Sequence, residues 1–472
     1  MKVGYITLLF AAGASASPFQ IYTQPSDLYC LADDESPYLQ FSTRTSYQVA
    51  RNRKPNNQVP NCKPEAAWLL VRHGTRYPEP EVDARFHELI PIATTIIENH
   101  ERPGHSGQLC KEDLDSFRAW RYRYTPDELE QLAPEGKSDL RILAGAYKLS
   151  LPELFENASP EKMAVKYTIS KRTRESAEAF LEGLSKTVNW NLSDNNIDDI
   201  LMLNKNCTEW ENSRDRPEAK IEKNLFAESP DMKEVIHRVS SRLGFKYDLE
   251  FKTVKNMYDL CRSEKAVFYS EPVSTWCAAF TKDDLQILEY YMDLSYYYDS
   301  GYGNPMTMKL GCPLVRDMLL KFENITKNNG TGDTVPVTLN FAHSVTLRTA
   351  ITKLGLARDS MPPKHNNRQA VADRQWRTTR LAPFTGNLAV ILYRCTSGEE
   401  WKLMFYLNEY QVNYQGCDLG LCNWSYIFDR FKDHINPETC NLDVCNRPSS
   451  ASNLAVALPF AIALSTLVRL IL

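Results

Sequence analysis

The chain changes hydrophobic pattern several times along its length, and each change predicts an element. Ala66-Ala67-Trp68-Leu69-Leu70-Val71 is an unbroken apolar run that ends in Arg72-His73-Gly74. Short continuous runs of this kind predict a strand buried on both faces. Residues 166–169 read as a second strand. Ala177, Phe180, Leu181 and Leu184 then follow at helical spacing. Residues 335–341 form a third, β-branched strand candidate that stops at Ala342-His343. Residues 387–395 and 401–410, separated by Thr396-Ser397-Gly398-Glu399-Glu400, predict an antiparallel hairpin added to the same sheet. Between about 190 and 301 the pattern becomes helical, with Leu285, Leu288, Tyr291 and Met292 in register. That stretch predicts a mostly helical cap inserted into an α/β core, and no internal repeat interrupts it.

The three strand candidates share one feature. Each has a cationic or imidazole residue at or just past its C-terminal end: His73, Arg172 and His343. In open α/β sheets, ligands bind in the crevice beyond the carboxyl ends of the strands. The spacing alone therefore gathers these groups around one site.

Composition adds limits to this picture. A chain of 472 residues, 43% hydrophobic and 24% charged, is ordinary globular material with room for one large domain or two to three modest ones. The net charge of −4 argues against a general nucleic-acid binder, so an anionic substrate needs a local cluster of cations. Lys2, the apolar run over residues 5–12 and Ala14-Ser15-Ala16 match a signal peptide over residues 1–16, with a buried first strand as the alternative. The 12 cysteines all follow that segment and show no paired CxxC spacing, which favours disulfides of unread connectivity over a metal site. Sequons at Asn157, Asn191, Asn206, Asn324, Asn329 and Asn423 fit glycosylation in the same compartment. Residues 454–472 are nearly all apolar and follow Ser449-Ser450-Ala451-Ser452. With the ectodomain at 17–448, residues 449–472 then read as a glycolipid (GPI) attachment signal on the outer face of the plasma membrane. A retained membrane span is the rival reading.

The chemistry concentrates in Arg72-His73-Gly74-Thr75-Arg76-Tyr77-Pro78. A neutral imidazole is a competent nucleophile toward phosphorus, and a phosphohistidine divides hydrolysis into two steps. Charge on the equatorial oxygens calls for bidentate guanidinium groups nearby. Gly74 lets the backbone come close to an anion. An incidental Arg-His-Gly is the bland alternative, and a lone histidine such as His343 is more often structural. Three equivalent placements on three strands weigh against coincidence.

These residues resemble those of the histidine acid phosphatases of the branched, two-domain type, and the multiple inositol polyphosphate phosphatases most of all. The likeness extends through Pro134-Glu135-Gly136, Ser170-Lys171-Arg172, Ser176-Ala177-Glu178-Ala179-Phe180, Trp276-Cys277-Ala278-Ala279-Phe280-Thr281, Gly301-Tyr302-Gly303 and Leu381-Ala382-Pro383-Phe384. It implies a phosphoglycerate mutase-like, histidine phosphatase core with a mixed sheet. It implies that His73 attacks phosphorus and that Arg72, Arg76 and Arg172 bind the phosphoryl oxygens. His343 adds a donor, Lys171 contacts phosphates of the same substrate, and neither metal nor cofactor takes part. The implied substrates are inositol polyphosphates, phytate included, with phosphoglycerate-type esters also admitted; mutase-like transfer is a more distant reading.

One departure stands out. The family places a proton-donating acid directly after the second histidine, or one residue later in the inositol polyphosphate subfamily. Here those positions are Ser344 and Val345. A positioned general acid is worth about 10²–10⁴-fold in rate. Three readings stay open: another group substitutes, with Asp359 and Asp373 in the loop 358–377 as carboxylates of unknown place; turnover is slow; or the chain binds phosphate ligands without turnover.

Overall fold

The computed structural model describes residues 29–330 and 334–446. The expected signal peptide, residues 1–16, and lipid-attachment signal, residues 449–472, lie outside the described residues. The core is a sheet of seven strands: β1 (Cys62–Arg72), β2 (Met163–Tyr167), β3 (Val337–Ala342), β4 (Asn387–Cys395), β5 (Trp401–Leu407), β6 (Tyr410–Gln411) and β7 (Cys422–Asn423). The order is β2-β3-β1-β4-β5-β6, with β7 also on β5. β2, β3 and β1 run parallel, whereas β4 and β5 form the antiparallel hairpin. The mixed α/β core read from the sequence is thus observed.

The apolar run in β1 has a direct explanation. Side chains alternate across a strand, and both faces of β1 are covered. Ala67, Leu69 and Val71 pack with Leu140, Leu143 and Phe180, which belong to α1 (Pro134–Ser150) and α2 (Lys171–Leu184). Ala66, Trp68 and Leu70 pack with Met318, Leu347 and Ile351, which belong to α5 (Cys312–Lys327) and α6 (Ser344–Leu354). With no solvent-facing side, the strand has no polar alternation.

Register places the site. Arg72 pairs with Ala342 and Tyr167 with Phe341, so the three parallel strands end level with one another. A second apolar cluster lies among helices beyond these ends. It includes Val254, Met257 and Leu260 of α3 (Phe251–Val267) and Leu285, Leu288 and Leu294 of α4 (Lys282–Ser300), joined by Phe86, Ile96 and Phe117. The loop 358–377 is tied to this layer. Arg374 pairs with Asp293, Arg377 with Glu289 and Arg368 with Asp231.

All 12 cysteines are paired, as Cys30–Cys110, Cys62–Cys395, Cys207–Cys445, Cys261–Cys277, Cys312–Cys440 and Cys417–Cys422. This supplies the connectivity that spacing alone left open. Asn157, Asn191, Asn324, Asn329 and Asn423 are exposed.

Candidate active site

The loop after β1 is fixed from three sides. His73 N–H donates to Ala342 O (2.9 Å) on β3, and Thr385 N–H donates to His73 O (3.2 Å). Ala133 N–H donates to Thr75 O (2.8 Å) and Tyr77 N–H to Gln131 O (3.0 Å), pinning the loop to the segment before α1. Gly74 N–H donates to Ser176 Oγ (3.2 Å), and that hydroxyl donates to Arg172 O (2.6 Å), linking the loop to α2. Gly74 and Gly136 lie back to back. A Cβ on Gly74 would stand 2.6 Å from Gly136 O, and one on Gly136 would stand 2.3 Å from Thr75 O. Close backbone approach here is to the first turn of α1, which gives the Pro134-Glu135-Gly136 motif a physical reason.

The hydrogen bonding of His73 sets its tautomer. Its Nδ1 lies 2.9 Å from Gly74 O, and a carbonyl only accepts, so Nδ1 carries the proton. Nε2 is left with its lone pair. Burial pushes the His73 pKa well below the ordinary imidazole value, and Arg72, His343, Arg76 and Arg172 push it further. The ring is therefore a neutral nucleophile at mildly acidic pH. His343 stands beside it, ring centroids 5.5 Å apart. Its Nε2 is 3.0 Å from Thr168 Oγ1 and 3.4 Å from Ser170 Oγ, which anchor the ring to the end of β2. Burial and then Arg172 bring the His343 pKa down to about 3.

A cavity of about 160 Å³ is lined by Thr43, Arg44, Arg72, Arg76, Tyr296 and Phe384, among others, and the Phe384 ring lies 6.1 Å from that of His73. Arg72 is buried, donates to the carbonyls of Thr43 and Ala382 (2.9 Å to the latter), and stacks over Phe384 with its guanidinium carbon 4.3 Å from the ring centroid. Burial and the nearby Arg76 push Arg72 well below the usual guanidinium pKa. A guanidinium stays charged in a protein, so the shift expresses first the cost of burying this cation and then its crowding by Arg76, both of which a bound anion would relieve. Arg76 and Arg44 share the carboxylate of Glu79. Although burial raises the Glu79 pKa, these two arginines hold it at about 2. Arg172 lies 3.7 Å from Glu130 and close enough to Arg76 to be pushed below its ordinary pKa by burial and by that cation.

Helix polarity adds to the field. α2 begins at Lys171 and α6 begins just after His343, and neither has an acidic residue in its first turn. Unsatisfied N–H groups at such termini favour anions.

The structure thus brings Arg72, His73, Arg76, Arg172 and His343 to one end of the sheet. Lys171 is placed differently: its side chain is 70% exposed, and its ammonium group donates to Gln131 Oε1 (2.8 Å) rather than lining the cavity. Ser344 lines the cavity, whereas Val345 packs against the cluster around Trp210 and Met306. The loop carboxylates do not stand in for an acid. Asp359 accepts from the backbone N–H groups of Gln375 (2.7 Å) and Trp376 (3.0 Å), and Asp373 is exposed. Sequence reading missed Thr43, Arg44 and Tyr296. The only trace of Arg44 was a basic residue inside the hydroxyl-rich tract Ser42-Thr43-Arg44-Thr45-Ser46.

This geometry can accept a phosphoryl group, attack it in line from Nε2 and spread its charge over several guanidinium groups. Comparison with known proteins agrees. A sequence model of the histidine phosphatase superfamily (branch 2) matches residues 65–408. The chain is 32% identical over 420 residues to multiple inositol polyphosphate phosphatase 1 of Drosophila melanogaster, covering 86% of this chain and 88% of that protein. It is 26% identical to the Gallus gallus protein of the same name, over 84% of this chain and 87% of that one. It is 23% identical to phytase A of Aspergillus oryzae, over 77% and 80%. In fold it is similar to the Bifidobacterium longum multiple inositol polyphosphate phosphatase crystallised with inositol hexasulfate. The TM-score is 0.63 at 15% identity, over 84% of this chain and 98% of that one. The phytase from D. castellii gives a TM-score of 0.63 at 17% identity, over 85% and 87%. The chain belongs to the histidine phosphatase superfamily, branch 2, and is a histidine acid phosphatase.

Proposed function

We propose that the protein hydrolyses inositol polyphosphates, inositol hexakisphosphate and its lower esters, through a phosphohistidine on His73. The observation that carries this reading is the cavity beside His73. Arg44, Arg72 and Arg76 line it with Glu79 as the one carboxylate in that lining, and Arg172 is close enough to feel Arg76 and Glu79. Such a surplus of guanidinium groups suits a densely phosphorylated ligand. The names of the related phosphatases and phytases support the same substrate class. In this reading Arg72, Arg76 and Arg172 hold the transferred group, and His343 donates to it once the bound dianion favours its protonated form. Purified protein should release phosphate from inositol hexakisphosphate, and His73→Ala should abolish that release while leaving substrate binding measurable by calorimetry. Release undiminished in His73→Ala would overturn the assignment.

A second reading, a phosphate-ligand binder without turnover, is favoured by one observation: neither Ser344 nor Val345 is an acid. Tight binding of inositol hexakisphosphate with no release, and release gained on Ser344→Asp at the position that faces the cavity, would favour it.

We also place the protein on the cell surface. The amino-terminal leader pattern, the even and fully paired cysteines, the exposed sequons and the apolar carboxyl end support export and lipid anchoring. Phosphatidylinositol-specific phospholipase should release the protein from intact cells; retention on the membrane would count for a transmembrane tail.

A further inference from the structure

The leaving oxygen of an inositol phosphate is a poor leaving group, and the positions where the family keeps its acid hold Ser344 and Val345. Ser344 faces the cavity but has no acidity to offer, and Val345 is turned into apolar packing. Glu79 faces the cavity too. Held at about 2 by Arg76 and Arg44, it carries no proton to give at working pH. Asp299 pairs with Arg214 and lies 3.6 Å from Arg348; it lines a neighbouring cavity instead.

One proton-bearing acid does line the phosphate cavity. Tyr296, on α4, is among the residues that line it. Its hydroxyl lies 3.1 Å from Thr43 Oγ1, and the carbonyl of that same Thr43 accepts from Arg72. The Arg348 guanidinium carbon sits 4.3 Å over the ring, which fixes its plane. We infer that Tyr296 is the proton donor to the leaving oxygen, taking over the role of the missing carboxylic acid. The inference rests on the phosphatase reading above.

The electrostatics favour this role. Burial raises the Tyr296 pKa, but Arg262, Arg348, the Thr43 hydroxyl and Arg44 outweigh burial and set it below the usual phenol value. The phenolate that proton transfer leaves has cationic neighbours ready. The step balances as follows. His73 Nε2 forms a bond to phosphorus while the phosphorus–oxygen bond to the inositol breaks. The electron pair stays on that oxygen, which takes the proton from Tyr296 Oη. Water then attacks the phosphohistidine and gives its proton to the phenolate. The nitrogen–phosphorus bond breaks, and its pair returns to Nε2.

Leaving-group dependence separates proton donation from a structural role. An alcohol leaving group needs the proton, whereas 4-nitrophenolate hardly does. With the full-length protein, Tyr296→Phe should lower kcat/KM for inositol hexakisphosphate about 10²-fold or more and change kcat/KM for 4-nitrophenyl phosphate less than about threefold, because kcat/KM reports the step that expels the leaving group and not the later attack of water on the shared phosphohistidine. Ser344→Asp in the Tyr296→Phe background should restore part of the lost rate, because position 344 faces the same cavity. Parallel losses on both esters would mean that the ring is only structural, and unchanged rates on both would remove it from catalysis; either overturns the inference. A wild-type protein inert toward both esters would overturn the phosphatase reading beneath it, whereas an active wild type with a substrate-independent effect of Tyr296→Phe would overturn the inference alone.

Discussion

At the scale of single residues, the site works because one imidazole is held neutral and aimed. The Nδ1 bond to Gly74 O fixes the tautomer, and burial among arginines keeps the proton off Nε2. Because His73 must be unprotonated to attack, and its pKa lies well below the ordinary value, kcat/KM should not fall as pH drops through 6.5, the unperturbed imidazole pKa. A pH–rate profile corrected for substrate ionisation checks this; an acidic limb centred near 6.5 would show the opposite. Ser176 is the residue that ties the loop to α2, accepting from Gly74 N–H and donating to Arg172 O. Ser176→Ala should cost about 1 kcal/mol of stability and lower kcat more than it changes KM, read by chemical denaturation and steady-state kinetics. Gly136→Ala places a methyl against the backbone of Thr75, where no side chain can yield. The displaced loop should cost about 10²-fold in kcat.

At the scale of elements, the parallel strands that end level with one another account for most of what the sequence disclosed. β1 reads as an uninterrupted apolar run because α1 and α2 cover one face and α5 and α6 the other. The hairpin β4–β5 and the heptad-like spacing on α4 were legible for the same reason, since burial imposes a period. His73, Arg172 and His343 followed from where those runs stop. The remainder had no period to read. Thr43 and Arg44 sit in a three-residue turn, Ser42–Arg44, whose position in the fold depends on partners distant in sequence. Ser42 N–H donates to Thr379 Oγ1 (2.9 Å), and Phe384 N–H donates to Thr45 O (3.0 Å). Lys171, adjacent to Arg172 in sequence, points along the helix surface, and adjacency could not reveal that. The loop 358–377 is held by buried carboxylates of α4. Asp293 accepts from Thr378 N–H (2.8 Å) and Thr378 Oγ1 (2.6 Å) and pairs with buried Arg374. Asp293→Ala strands that guanidinium and should destabilise the fold by about 3–5 kcal/mol, measured by denaturant unfolding.

At the scale of the whole molecule, two buried carboxyls lie behind the site and couple stability to pH. Burial raises Asp139 to about 7 despite the Gln48 bond at 2.6 Å, and it raises Glu409 to about 7 despite the Asn387 bond at 2.6 Å. Their unfolded values are about 3.9 and 4.3, so between about 4 and 7 the native state binds more protons than the unfolded chain. Their contribution is fully present below the unfolded values and is lost as pH rises through about 7. His73 and His343, both held below the ordinary imidazole value, act in the opposite sense, so the wild-type curve alone does not isolate the carboxyls. The comparison that does is Asp139→Asn with Glu409→Gln. Its Tm should gain on wild type steadily from pH 4 to pH 7, and a constant offset would contradict the linkage. The central claim, that sheet, helices and arginines converge to make His73 a phosphoryl acceptor, is tested most directly by trapping the intermediate. Rapid quenching of a reaction with phosphate-labelled inositol hexakisphosphate, followed by peptide mapping, should give an acid-labile, base-stable label on the peptide containing His73. Steady turnover with no label on that peptide, or label retained in His73→Ala, would contradict it.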